Sequence, residues 1–110
     1  MNRALLIDDD RVHAEHIERI LNQRGLITNW TASIREAVRR LKCRAASYDL
    51  VVLAIANRAH PWLEILHELQ QAAWQAGIGE FPLFLCVSRL GFGTEFQLQI
   101  ERMGARFVIE

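Results

Sequence analysis

The sequence contains little cysteine, little proline and no net charge. The cysteines and the charge each argue against particular kinds of binding site. Its 110 residues include two cysteines, two prolines, and 13 basic side chains balanced by 13 acidic ones. Cys43 and Cys86 are not spaced like metal ligands, and Cys86 lies in an apolar run typical of a buried thiol. Zero net charge gives this segment no electrostatic reason to bind nucleic acid or a membrane surface, and it does little to oppose self-association.

Long apolar stretches and a glycine-rich phosphate cradle are also absent. The first apolar run, at 4–7, meets Asp8-Asp9-Asp10 too soon for a signal peptide or a membrane span. Gly91-Phe92-Gly93 is too short to match a phosphate-binding fingerprint. We therefore expect a cytoplasmic protein, and we predict that residues 1–110 form a single domain, because this length supports one core.

What the sequence does contain is a regular alternation of short apolar runs with amphipathic segments. The apolar runs predict five strands, at 3–7, 26–30, 50–55, 82–87 and 106–109. Helical periodicity predicts four helices, which begin near residues 11, 34, 61 and 94. Strict alternation of strands and helices implies right-handed crossovers and a parallel sheet.

Two helix details follow from the same pattern. Ser33 and Thr94 are the expected N-caps of the second and fourth helices, since a Glu or Gln follows each three residues later. The first helix, from about 11 to 24, is expected to turn one face toward the core. That face comprises Val12, His16, Ile17, Ile20 and Leu21.

The run Leu50 to Ile55 has no polar residue, so it fits a central strand buried on both faces. In a parallel sheet, binding sites lie at the carboxyl ends of the strands. The first strand ends in Asp8-Asp9-Asp10, and adjacent carboxylates repel, so a divalent cation or a basic side chain is expected nearby. The alternative is that the triplet only begins the first helix, a role that Asp10 suits in either case.

The segment Leu5-Leu6-Ile7-Asp8-Asp9-Asp10 resembles the first strand and acidic pair of response-regulator receiver domains, the CheY-like family. Residues 48–53, 81–88 and 103–106 are similar to its third strand, its fourth strand and the turn into its fifth. The resemblance covers the whole chain. It implies an α/β, flavodoxin-like, doubly wound parallel sheet of five strands in the order 2-1-3-4-5, with the family's last helix missing. It also implies that Asp8 and Asp9 are the pair that holds magnesium.

The sequence departs from the family where the phosphoryl chemistry takes place. The position of the acceptor aspartate is Ala54, that of the phosphoryl-binding hydroxyl is Val87, and the family's lysine would follow Glu110. A methyl group can neither attack phosphorus nor complete a metal's ligand set. We therefore predict no catalytic residue, no enzyme activity, no required cofactor, and only a weak or vestigial magnesium site at Asp8 and Asp9.

Basic and imidazole side chains near the acidic pair leave two questions open. Arg58 or Arg89 could neutralise Asp8 and Asp9, or both arginines could point into water. His13 and His16, three residues apart on a helix, could touch a metal together with His60. Without a further ligand, the favoured interpretation is a half-buried His16 and two solvated histidines.

These observations predict a phosphorylation-independent pseudo-receiver signalling domain of the two-component (phosphorelay) type. We expect it to be the N-terminal part of a longer regulator and to act through contacts with a protein partner or output domain. It is also expected to form a homodimer, through the uncovered sheet face or through a surface with Phe96, Ile100 and Phe107. Two alternatives are a phosphotransfer receiver with a non-standard acceptor and a small-anion-binding flavodoxin-like domain.

Overall fold

A computed structural model describes residues 2–44, 47–55, 60–75, 82–89 and 93–110. Strands and helices alternate along the chain, as the apolar periodicity predicts. The strands are β1 (Arg3–Ile7), β2 (Ile27–Thr31), β3 (Leu50–Ile55), β4 (Leu83–Ser88) and β5 (Arg106–Ile109). The helices are α1 (Arg11–Gln23), α2 (Ile34–Arg44), α3 (Trp62–Gln75) and α4 (Thr94–Arg102).

The five strands form one parallel sheet in the order β2-β1-β3-β4-β5, which confirms the predicted fold class. Helices α2, α3 and α4 contribute to the larger core on one face of the sheet, and α1 packs on the other face. No helix follows β5 in the part of the chain that the structure describes. No helix among those residues is long and apolar enough to cross a membrane.

Strand β3 is the centre of the sheet. It pairs with β1 on one side and with β4 on the other. The side chains from Val51 to Ile55 are at most 4% exposed, because helices cover both faces of the strand. The apolar run in the sequence is therefore explained by its central position, and it sets Ala54 at the edge where the carboxyl ends of the strands meet.

The predicted inner face of α1 is confirmed at Ile17 and Leu21 and is wrong at its other positions. Val12 is 77% exposed and Ile20 is 40% exposed, and His16 also lies on the surface. The buried residues are His13, Ala14, Ile17 and Leu21. The prediction was wrong because it placed the apolar Val12 inward and the polar His13 outward. A polar residue is buried there because it has a charged partner, as the site below explains.

The predicted helix caps have different outcomes. Ser33 caps α2, since its Oγ accepts a hydrogen bond from the Glu36 backbone N–H at 3.2 Å. Thr94 is the first residue of α4, and the N-cap is Gly93, which has a φ of 87°. Glycine suits this position because it adopts a positive φ without steric cost.

One part of the sheet is left without a helix. Leu83 is 51% exposed and Val108 is 44% exposed, and strand alternation directs both toward the face that carries α1. Helix α1 covers the β1 and β3 side of this face through Ala14, Ile17 and Leu21. We call the exposed remainder, formed by Leu83, the half-buried Leu85 and Val108, the open sheet face.

The second predicted contact surface needs correction. Ile100 is only 1% exposed and belongs to the core, so it cannot contact a partner protein. Phe96 and Phe107 are half-buried and pack edge to face, with ring centroids 6.0 Å apart. Of the two surfaces, the open sheet face therefore has the more exposed apolar side chains.

We predict that Leu53→Ala lowers the free energy of unfolding by about 2–5 kcal/mol, because it opens a cavity in the middle of the sheet. Leu53 is 1% exposed in β3. Urea denaturation followed by circular dichroism measures the change. The control is Leu98→Ala on α4, where the side chain is 43% exposed. Equal losses in the two variants would contradict the central place of β3.

Candidate functional site

The carboxyl ends of the parallel strands bring four segments of the chain to one edge of the sheet. Asp8 follows β1, Ala54 lies near the end of β3, Ser88 ends β4, and Glu110 follows β5. The Glu110 backbone N–H donates to the Ser88 carbonyl oxygen at 2.8 Å, so the pairing of β4 and β5 continues to this edge. The site is therefore assembled by the sheet itself.

The three consecutive aspartates have three different environments. Asp8 is 2% exposed, whereas Asp9 lies on the surface. Asp10 caps α1, since its Oδ1 accepts hydrogen bonds from the backbone N–H groups of Val12 and His13 at 3.0 and 3.2 Å. Asp10 thus confirms the capping role predicted for it, and Asp8 is left as the buried charge that requires a partner.

The backbone of Asp8 is fixed by strand β2. Its N–H donates to the Thr31 carbonyl oxygen at 3.0 Å. Its own carbonyl oxygen accepts a hydrogen bond from the Trp30 indole N–H at 2.8 Å. The Asp8 carboxylate is therefore held at one place on the edge, and other side chains must adapt to it.

His13 is the partner of Asp8. Its Nδ1 lies 2.5 Å from Asp8 Oδ2, and its Nε2 lies 2.9 and 2.8 Å from the two carboxylate oxygens of Glu110. His13 is 9% exposed, and His16 lies on the surface. The predicted burial of the two histidines was therefore reversed, because the buried carboxylate attracts the histidine closer to the start of α1.

Glu110 has a second cationic contact. Arg89 Nε lies 3.2 Å from Glu110 Oε2, and the arginine side chain is 65% exposed. Arg89 thus neutralises Glu110 rather than the acidic pair for which it was proposed. Arg58, the other proposed arginine, lies outside the described residues. We call Asp8, His13, Glu110 and Arg89 the charge chain, because negative and positive groups alternate along it.

The contacts of the charge chain shift two pKa values. Burial opposes the imidazolium, but hydrogen bonds and charge from Glu110 and Asp8 outweigh burial and raise the pKa of His13 above 6.5. Burial also favours the neutral form of Glu110, but hydrogen bonds and charge from His13 and Arg89 outweigh it and lower the pKa of Glu110 below 4.5. Both groups are thus stabilised in their charged forms.

The positions expected to carry phosphoryl chemistry are apolar. Ala54 and Val87 are paired neighbours in β3 and β4, and they are 4% and 7% exposed. Ser88, the nearest hydroxyl along β4, donates its Oγ hydrogen to the Ile55 carbonyl oxygen at 2.9 Å. Burial raises the pKa of the Cys86 thiol to about 12, which keeps it protonated. These side chains offer no activated nucleophile.

A small cavity adjoins Ala54. It measures about 230 Å³, and most of the residues that line it are apolar. Asp8, Asp9 and His60 also line it, and His60 packs against Trp62 edge to face at 5.4 Å between ring centroids. The apolar lining residues include Ile7, Ala32, Ile34, Leu53 and Ile65. A mostly apolar cavity beside two aspartates is poorly suited to hold an anion.

The residues present do not fit a magnesium site. Asp8 uses Oδ2 for His13 and Oδ1 for the Asp10 backbone N–H at 2.9 Å. Magnesium requires nearly octahedral oxygen ligands, and the described residues include no group of three or more side chains arranged to hold a metal. No buried polar side-chain atom among them lacks a hydrogen-bond partner. The two His13 contacts also lie on opposite sides of the ring, so Asp8 and Glu110 do not converge on one point.

Comparison with solved structures shows which known proteins share this fold. A two-component response regulator from Clostridium difficile has a TM-score of 0.77 and 14% identity over 100% of this chain and 84% of its own. The non-phosphorylated HemR receiver domain from Leptospira biflexa has a TM-score of 0.75 and 22% identity over 100% and 82%. The chain has the fold of a response-regulator receiver domain.

A third receiver-fold structure is a response regulator from Burkholderia pseudomallei with a phosphorylated aspartic acid, calcium ion and citrate. It has a TM-score of 0.77 and 16% identity, and this chain covers 60% of its length and is covered completely. No protein-family model and no curated protein matches the sequence. The likeness is therefore one of receiver fold, at low sequence identity.

Sequence analysis considered His13 only as a possible metal contact and favoured a solvated side chain, and it did not place Glu110 in the site. A signal for His13 was present, because His13, Ile17 and Leu21 recur at intervals of four, the spacing of one helix face. Choosing between that face and the one with Val12 requires knowing that Asp8 is buried. Glu110 has no comparable signal, because its contact with His13 spans 97 positions in the sequence.

We predict that the charge chain stabilises the fold most between about pH 4.5 and 6.5. The pKa of His13 is raised on folding, so its contribution is complete below 6.5 and is lost as pH rises through the folded-state pKa. The pKa of Glu110 is lowered, so its contribution is complete above 4.5 and is lost as pH falls through the folded-state pKa. Urea denaturation of the wild type and of His13→Gln across this range measures the difference.

Within that window, His13→Gln should lower the free energy of unfolding by about 3 kcal/mol, since it leaves a buried carboxylate without its cation. The deficit should shrink as the pH rises above the window. His16→Gln, at an exposed position on the same helix, is the matched control and should change little. A deficit that is independent of pH would show that His13 acts through packing alone.

Proposed function

We propose that this chain is a receiver-type signalling module of a two-component pathway that works without phosphorylation and acts through protein contacts. The observation that carries the proposal is Ala54, a buried methyl group where the receiver resemblance places the phosphoacceptor. Receiver domains signal by presenting a surface to another protein, and that role does not require the lost chemistry. A protein partner or output domain in a longer cytoplasmic regulator is part of the proposal.

Three neighbouring features support it. Val87 pairs with Ala54 and supplies no hydroxyl. The chain contains a single lysine, Lys42, which lies on the surface of α2 rather than at this edge. Phosphoryl transfer depends on a metal ion and a cationic side chain that neutralise developing charge. Among the described residues, the cationic groups His13 and Arg89 at this edge are already paired with Asp8 and Glu110.

The two alternative functions find less support. A non-standard acceptor would have to be Asp8 or Asp9, but Asp8 is buried and hydrogen-bonded to His13, and Asp9 is exposed to water. A small-anion site would need donors or positive charge facing the cavity. The described residues that line the cavity are mostly apolar, and the polar ones are Asp8, Asp9 and His60.

We predict that acetyl phosphate with magnesium leaves the intact mass of the protein unchanged. The reason is that no described nucleophile at the edge is free to attack in line with a leaving group. Mass spectrometry of the intact chain after incubation measures the result. A receiver domain that retains an acceptor aspartate is the positive control, treated in parallel. A gain of one phosphoryl group would overturn the proposal.

The variant Ala54→Asp separates the missing acceptor from the rest of the site. We expect it to remain unphosphorylated as well, because the added carboxylate would still lack a hydroxyl at Val87 and a free cation at Asp8. The same mass measurement applies. Phosphorylation of Ala54→Asp alone would mean that the acceptor is the only function lost.

We further propose that two copies of the chain associate through the open sheet face. Leu83 and Val108 expose about half of their area there, and water contact with exposed apolar side chains is unfavourable. Zero net charge adds little long-range repulsion between copies. The same strands in a second copy present a matching apolar surface, as a two-fold dimer requires.

We predict that Leu83→Glu shifts the protein toward monomer in light scattering across micromolar concentrations, since dimer formation would bury the new charge. Leu98→Glu is the matched control, because Leu98 is 43% exposed on α4, away from the open sheet face. A monomeric wild type would rule out the dimer. Dissociation by Leu98→Glu alone would move the interface to α4.

A further inference from the structure

We propose that the His13 side chain is the resident cation of this site, taking the place that a divalent metal ion occupies beside an acidic pair, and that it joins the ends of β1 and β5. The inference goes beyond the proposed function, because it concerns the cation of the site and not the phosphoacceptor. It rests on the contacts of His13 with two carboxylates from opposite ends of the chain.

The hydrogen bonds of the His13 ring indicate its charge. Both nitrogens face carboxylate oxygens, Nδ1 toward Asp8 at 2.5 Å and Nε2 toward Glu110 at 2.8 and 2.9 Å. When both carboxylates are ionised they only accept hydrogen bonds, and a ring that makes both contacts then donates from each nitrogen. A ring with two N–H groups is the positively charged imidazolium. The geometry therefore supplies one positive charge at the position between the two carboxylates.

The start of helix α1 positions the His13 ring over the end of β1. His13 is the third residue of α1, and its backbone N–H donates to Asp10 Oδ1 at 3.2 Å. Side chains of a helix lean toward its N-terminus, and the N-terminus of α1 follows directly after Asp8. The cap thus fixes the first turn so that the imidazole reaches back over the strand end. The helix that begins just after the acidic pair therefore places the cation beside it.

Both oxygens of the Asp8 carboxylate already accept hydrogen bonds, one from His13 and the other from the Asp10 backbone N–H. The carboxylate is also 0% exposed. An incoming metal ion would therefore have to displace the imidazole to reach it. Displacement would separate His13 from Glu110 as well, because the ring cannot move without breaking both contacts.

The charge chain also balances locally. Two carboxylates, Asp8 and Glu110, are matched by the imidazolium and by the Arg89 guanidinium. A divalent ion added to this balanced set would introduce an excess of positive charge in a buried place, which is unfavourable. Removal of the imidazole would instead leave Asp8 beside Asp9 without that cation, and two neighbouring carboxylates attract divalent ions.

The test uses Mn²⁺ as the probe, with the 110-residue chain and no phosphodonor. In the wild type, we expect the backbone amide signals of Asp8, Asp9 and His13 to keep their NMR intensities at Mn²⁺ concentrations that broaden exposed carboxylate sites elsewhere. In His13→Ala, the same amides should be broadened, with an affinity at least about tenfold higher by Mn²⁺ titration. His16→Ala is the matched control and should behave as the wild type does.

His13→Gln covers the case in which His13→Ala does not fold. The neutral amide retains hydrogen bonding but not the charge, so this variant should also gain Mn²⁺ affinity relative to the wild type. Selective broadening of the Asp8 and Asp9 amides in the unmodified protein would overturn the inference. A folded His13 variant that gains no affinity would overturn it too. Neither result alters the phosphorylation test, because no phosphoryl donor is present.

Discussion

A buried carboxylate needs a positive or hydrogen-bonding partner, and the structure around Asp8 follows from that need. Asp8 is held by backbone hydrogen bonds to β2 and is removed from water. Leaving such a charge unpaired costs several kcal/mol, a large share of the stability of a small domain. The partner, His13, comes from the first turn of α1, so the orientation of that helix and the position of Glu110 both depend on one electrostatic requirement.

Two separate features distinguish this edge from a phosphate-accepting one. The first is apolar: Ala54 and Val87 are adjacent in the sheet and leave no nucleophile or hydroxyl. The second is electrostatic: the His13 imidazole contacts the buried Asp8 carboxylate. The features involve different strands and different interactions, so changing one would leave the other intact. Together they give the edge a buried apolar pair beside a set of balanced charges.

The sequence allowed most of the fold to be predicted. Periodicity located every strand and helix, because a central strand such as β3 is apolar throughout and the helices repeat at helical spacing. The strand order 2-1-3-4-5 followed only from the resemblance to receiver domains, since periodicity does not specify which strands are neighbours. The positions of Ala54 and Val87 at the strand ends followed from the same resemblance.

The site was predicted less well, because it depends on long-range contacts. The side of α1 that faces the sheet was misassigned, since hydrophobicity favours burial of Val12 and gives no reason to bury His13. The energy that reverses this preference comes from Asp8 and Glu110, which are five and 97 positions away. Such a contact can be recognised only after the strands have been placed side by side.

Ser88 gives the edge a mechanical property. Its hydroxyl is bonded to the last carbonyl of β3, and its carbonyl oxygen accepts the N–H of Glu110 beyond β5. One residue thus connects the ends of three strands, and Glu110 extends the connection through His13 to a fourth. The carboxyl ends of these four strands therefore cannot separate without breaking a hydrogen bond of Ser88 or a contact of His13. A change of shape at this edge would have to break several such bonds at once.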